Sequence, residues 1–158
     1  GTFYDNVLHI PLIIRHPGIG GQRIEGIAQL IDVMPTVLDF LDIRYDGMEG
    51  KSLIPLINGN SVNDYVFAIS RFDPPDENPF FAEQTLTMSV QDSEWKLIRE
   101  ISNENTSYFL YERGNESENV YEVNPKIVSR LDKILSRKFG LTYKDAGPAD
   151  APEGLFLS

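Results

Sequence analysis

Residues 9 to 18, HIPLIIRHPG, hold an uninterrupted apolar run from Ile10 to Ile14 that stops at a Pro-Gly turn. A strand with one wet face alternates apolar and polar residues. One that does not alternate reads as buried on both faces, the pattern of a parallel sheet covered by helices. Parallel strands are joined by crossovers of a dozen or more residues, and the stretch ahead of His9 is too short to supply one. The run therefore implies a larger sheet than the chain provides before it.

At 158 residues the chain has the size of one ordinary core. Its net charge of −10 and pI near 4.6 argue against a nucleic-acid backbone or an anionic membrane surface as the main partner. The absence of cysteine excludes disulfides, thiolate metal sites and cysteine nucleophiles within these residues. No apolar run reaches the roughly 18 residues of a membrane span. The start, GTFYDNVLHI, has no basic region followed by an apolar stretch, so a signal peptide is expected to have been removed or never to have belonged to this piece. The compartment stays open.

In QLIDVMPTVLDFLDI, residues 29 to 43, an acid stands three residues before a proline. Asp32 reads first as the N-cap of a helix over 33–41, its carboxylate accepting from a first-turn N–H, with Pro35 placed where a missing donor costs nothing. A catalytic Asp32 is the minority reading. Val37, Leu38, Phe40 and Leu41 are too dense for a surface helix, so this helix is expected to be mostly covered by protein. Beyond it, DGMEGKSLIPLINGNS holds one brief apolar turn, Leu53 to Ile57, with Ser52 as its cap.

From residue 65 the texture changes. YVFAISRF (65–72), TLTMSVQ (85–91), EWKLIREI (94–101) and SYFLYER (107–113) are aromatic and β-branched segments of strand length, connected most economically as antiparallel hairpins with tight turns at 91–94 and 102–106. DPPDENPFFAEQ (73–84) is too rich in proline and acids for regular structure and long for a plain connector, as functional loops often are. NPKIVSRLDKILSRKFG (124–140) carries Asn124 as cap, Pro125 at the first helical position and Gly140 as terminator. Ile127, Val128, Leu131, Ile134 and Leu135 share one face, which should lie on the sheet with Leu131 and Ile134 inward. The tail, rich in Pro, Gly and Ala, reads as an extended arm. The fold class is α/β, taking an α+β form in these residues.

Chemistry is sparse. His9 and His16 are the only histidines; each reads as a surface or strand-end residue, and neither has a metal-binding spacing. No nucleophile elbow, Walker loop or dinucleotide fingerprint is present, and GIGGQR (18–23) reads as a loop. DENP and RYDG read as solvated turns, without the register of a calcium loop.

The order of the pieces resembles the C-terminal part of sulfatases, in the alkaline-phosphatase-like superfamily, over nearly all of residues 1 to 140. The residues that carry it are Pro11 and Leu12, Pro17 and Gly18, Asp32 with Pro35 and Thr36, Gly50 with Ser52 and Leu53, and Leu110 with Tyr111. Two departures stand out. Glu112 replaces an aspartate and no proline follows Glu116, while Met88 stands where an arginine is common.

The resemblance implies residues 1–61 as the last strand and helix of a large α/β domain, 62–146 as a subdomain of four-stranded antiparallel sheet plus helix, and 147–158 as a tail. It implies a parent that hydrolyses sulfate esters or sulfamates, with calcium and a formylglycine held by motifs upstream of residue 1. No catalytic or metal-binding residue is expected here. Within the parent, Arg71 and Asp73 of the loop 71–84 are the substrate-binding candidates, Arg71 facing an anionic sugar substituent; the bland alternative has Phe80 and Phe81 packing that loop on the sheet. The implied partners are the N-terminal catalytic part of the same protein and a sulfated small molecule or sugar, with no nucleic acid or membrane, and a periplasmic or extracellular parent fits. Alone, the chain is expected to self-associate through residues 7–15 or to leave them without order. Two rivals remain: a phosphoester or phosphonate hydrolase of the same superfamily, and a non-catalytic interaction module using the sheet as its platform.

Overall fold

A computed structural model describes residues 3–72, 85–102 and 105–140. The chain divides into two compact units, one of residues 10–66 and one combining residues 1–9 with 67–158. The first residues group with the sheet because Phe3 and Tyr4 pack against Ile98, Phe109 and Tyr111.

The sheet unit is built from β1 (Val66–Phe72), β2 (Thr85–Gln91), β3 (Trp95–Ser102) and β4 (Asn105–Glu112), in the order β1-β2-β3-β4. The β2–β3 and β3–β4 ladders are antiparallel, with Val90 opposite Leu97 and Leu97 opposite Leu110. This register puts Leu86, Met88, Val90, Leu97, Arg99, Ile101 and Leu110 on one face, which α4 (Pro125–Phe139) covers. Leu131, Leu135 and Phe139 of α4 are buried while Ile134 is only half-buried, so the inward row runs along 131, 135 and 139 rather than through 134. The opposite face, carrying Ile98, Phe109 and Tyr111, receives Phe3, Tyr4 and the one-turn helix α1 (Asp5–Leu8). Covering both faces removes the alternation expected of a half-wet strand, and Thr87 and Ser89 of β2 are buried along with its apolar residues.

The ends of α4 follow the local chemistry in part. Pro125 occupies the first helical position, and Gly140, at φ 66°, adopts the left-handed conformation that stops the helix. Asn124 does not cap with its side chain; its amide donates to the carbonyl of Val120, 3.0 Å away, while its backbone carbonyl accepts from Ile127 and Val128. The β2–β3 turn is tied by Asp92, whose Oδ1 accepts from the N–H groups of Glu94 and Trp95 at 2.8 and 2.7 Å.

The unit of residues 10–66 contains a 3-10 turn (Leu30–Asp32) running into α2 (Val33–Phe40), then α3 (Ile54–Ile57), which Ser52 starts by accepting from the Ile54 N–H at 3.2 Å. Residues 10–14 form no strand: no other strand of this unit offers them a ladder, and Ile13 is 90% exposed. The expected cover over α2 is likewise missing, since Met34, Val37 and Leu41 are exposed and only Pro35 and Thr36 are buried. Within this unit α2 has no second apolar layer to pack against.

Candidate functional site

Asp32 is the buried polar centre of its unit, 1% exposed. Its carboxylate makes no bond to the first turn of α2. Oδ2 accepts from the Gln29 backbone N–H at 2.9 Å and from the Asn63 side-chain amide at 2.7 Å, and Oδ1 accepts from the Lys51 backbone N–H at 2.9 Å. Thr36 extends the joint: its hydroxyl donates to the Asp32 carbonyl and accepts from the Leu53 N–H at 2.9 Å. Gly50 is required here, because a Cβ at that position would stand 1.9 Å from the Ile31 carbonyl oxygen. The N-cap expectation is thereby corrected, and so is the minority catalytic one. A carboxylate enclosed by three N–H donors on three segments joins loops and presents no oxygen to a substrate.

The second cluster lies in the sheet unit. Lys96 of β3 is 2% exposed, and its ammonium donates to Asp5 Oδ1 at 2.8 Å and to Glu116 Oε1 at 2.7 Å. Glu116 Oε2 in turn accepts from the Asp5 backbone N–H at 2.8 Å. Beside it the hydroxyls of Tyr4 and Tyr111 share a hydrogen bond of 3.2 Å, their rings meeting edge to face at 5.7 Å. Burial pushes the Tyr111 phenol well above its ordinary range, helped by that bond and by the negative charges of Glu116 and Glu100. This lysine is fully engaged by two carboxylates and acts as a clamp that holds the first residues on the sheet. Nothing in EWKLI announced it beyond a lysine lodged among apolar neighbours.

On the other face Arg99 is buried against α4, its guanidinium donating to Asp132 Oδ1 at 2.8 Å and Ser136 Oγ at 2.9 Å and lying 3.7 Å from the Met88 sulfur. Among the described residues its Nε finds no partner. Burial raises the Asp92 carboxyl, but the N–H groups of Glu94 and Trp95 and the Arg130 guanidinium at 2.8 Å outweigh it and hold that group below its ordinary value.

Of the residues singled out from sequence, Arg71 lies near the end of β1, half-buried. Asp73, with Phe80, Phe81 and the rest of the loop up to Gln84, lies outside the described residues, as do the tail from Leu141 and the middle of the turn at 102–106. His16 closes its turn, its Nδ1 accepting from the Gly18 N–H at 3.2 Å while its ring stacks on Phe40 at 4.6 Å. Among the described residues no group of three or more His, Cys, Asp or Glu could hold a metal ion. The Asp32 oxygens are occupied by N–H donors and the sequence contains no cysteine.

Residues 2–139 match the family described as N-sulphoglucosamine sulphohydrolase, C-terminal. Among curated proteins the chain is similar to arylsulfatase K of Xenopus laevis, 26% identical over 147 residues covering 85% of this chain and 26% of that protein. It is similar to arylsulfatase K of Gallus gallus, 26% identical over 146 residues with the same shares of 85% and 26%. Against arylsulfatase K of Homo sapiens the identity is 30% over 76 residues, 47% of this chain and 14% of that protein. The chain spans about a quarter of the length of the first two relatives.

Proposed function

The chain belongs to the C-terminal family of N-sulphoglucosamine sulphohydrolase, within the sulfatases, and from that premise we propose that it serves a polypeptide that hydrolyses sulfate esters or sulfamates. The match over residues 2–139 carries this reading. The relatives' name, arylsulfatase K, supports sulfate-ester hydrolysis in particular.

In this reading calcium and formylglycine belong to the catalytic part of the parent, and no step through either is assigned to residues of this chain. The work of these residues is positional. The Asp32 joint, with Thr36 and Gly50, sets the path of the loops around α2, and the Lys96 clamp and the Arg99–Asp132 pair hold both layers on the sheet. The exposed apolar side chains of Leu12, Ile13, Met34, Val37 and Leu41 fit a docking surface for the catalytic part of the same protein. Arg71, near the end of β1, supplies a cation for an anionic sugar substituent at the pocket rim, with Asp73 as the second substrate-binding candidate.

Turnover by the complete polypeptide, on a chromogenic aryl sulfate and the matching aryl phosphate, tests the reading. Sulfate hydrolysis lost on chelation is expected, with none from residues 1–158 alone. Preference for phosphate would replace the reading with its phosphoester rival, and turnover by residues 1–158 alone would end it. Arg71→Ala in the complete polypeptide should raise KM for a sulfated sugar several-fold while leaving kcat nearly unchanged; a kcat loss at constant KM would remove Arg71 from the rim.

A further inference from the structure

The outward side of α4 carries a charge arrangement that neither the fold nor sulfate hydrolysis uses. Lys126, Arg130, Lys133 and Arg137 follow one another at i, i+4, i+7 and i+11, the spacing that aligns side chains along one stripe of a helix. At about 1.5 Å of rise per residue the stripe runs for roughly 16 Å. All four side chains are exposed, and Lys138 stands beside them over the Phe67 ring, 5.9 Å from its centre.

The helix contains one acid, Asp132, and it is turned inward to Arg99. Arg130 pairs with Asp92, whereas among the described residues Lys126, Lys133 and Arg137 meet no carboxylate. An open hollow of about 510 Å³ follows the first half of the stripe, lined by Pro125, Lys126, Ser129, Arg130 and Lys133.

Helix stability does not account for this pattern. Like charges four residues apart repel, and Lys126 lies in a first turn that holds no acid, against the positive end of the helix dipole. Arg137 and Lys138 in the last turn do complement the dipole, so the unexplained part is the run from Lys126 to Lys133. The pattern is also a local reversal of sign, since the chain as a whole carries −10. At physiological ionic strength screening acts over about 8 Å, so an anion at this surface meets the stripe and not the net charge. Cations in a line, with no convergent cage, match a linear polyanion whose charges repeat along its length.

We propose that the outward stripe of α4 binds a linear sulfated polysaccharide, seated along Lys126, Arg130, Lys133 and Arg137 and apart from the site of hydrolysis. The choice of sulfated polymer rests on the sulfatase reading; the cationic stripe does not.

Binding of residues 1–158 to heparin, used as the probe, tests the proposal. The chain should be retained on immobilised heparin at low salt despite its net charge. The variant Lys126→Gln/Lys133→Gln/Arg137→Gln should bind at least ten-fold more weakly, and the slope of log K against log salt should become shallower by about two to three if each lost cation releases its counterion as on nucleic acids. Its circular dichroism should match the parent chain, because the three side chains are exposed. A matched variant, Arg15→Gln/Arg23→Gln/Arg44→Gln, removes the same charge from exposed positions of the other unit and should change binding less than two-fold. Absence of retention, equal loss in the matched variant, or equal binding of unsulfated hyaluronan or duplex DNA would overturn the proposal. Aryl sulfate turnover by the complete polypeptide should be unchanged by the stripe substitutions. A polypeptide that binds heparin through the stripe yet hydrolyses no sulfate would overturn only the reading of activity.

Discussion

The two units solve the problem of cohesion in opposite ways. In the sheet unit, Met88, Val90, Leu97, Leu110, Leu131 and Leu135 are fully enclosed, and charged groups such as Lys96 and Arg99 enter the interior only with carboxylate partners. In residues 10–66 the enclosed polar groups are Asp32, Thr36 and Asn63, joined by Pro35 and Leu53, while most isoleucines and leucines and the methionines face outward. One unit is closed by its own side chains. The other is organised by hydrogen bonds around Asp32 and leaves much of its apolar surface exposed.

The contrast breaks first at its apolar end. Leu131→Ala should destabilise the sheet unit by about 2–5 kcal/mol, against less than about 0.5 kcal/mol for the exposed Lys133→Ala. Equal shifts of the urea midpoint would refute the packing of α4. At the polar end, Asp32→Asn turns one acceptor oxygen into a donor facing another N–H and should cost about 2–3 kcal/mol. Limited proteolysis should then cut within 10–66 while the sheet strands stay protected from hydrogen exchange; simultaneous loss of both would mean that the units do not hold separately.

A smaller effect comes from Asp92. Because its folded pKa lies below the ordinary value, its contribution is complete above the unfolded carboxyl range and is lost as pH falls from about 4 through the lowered value. Asp92→Asn should cost about 1 kcal/mol at neutral pH and flatten that acid limb of the stability curve. An unchanged limb would show that the turn does not depend on the carboxylate. Smallest in stability, within about 0.5 kcal/mol, is Ile13→Asp. Its reading is association instead: sedimentation should show the parent chain self-associating and the variant monomeric, and equal behaviour would remove residues 7–15 as the sticky segment.

The strands and α4 were legible because their signals are local. Aromatic and β-branched residues, Pro125 and Gly140 act within a few positions of the elements they create. The role of Asp32 was not, since two of its three donors, on Lys51 and Asn63, lie 19 and 31 positions away while capping rules look only at the next turn. The burial of Lys96 was hidden for the same reason, its partner Asp5 being 91 positions distant. The run Ile10 to Ile14 reads by pattern as a strand buried on both faces, yet it forms no strand and leaves Ile13 90% exposed, because an apolar pattern reports what a segment could pack against and not whether a partner strand lies beside it.

The attachment of the first residues to the sheet also has a temporal meaning. Tyr4 meets Tyr111 across 107 positions and Asp5 meets Glu116 across 111, whereas each of the β2–β3 and β3–β4 hairpins closes over a single turn. Contacts that enclose so much chain form late, because the closure entropy must be met before they contribute. During synthesis residues 3–8 leave the ribosome before β4 and Glu116 and cannot dock until these have followed, so this segment folds onto the sheet later than the hairpins it covers.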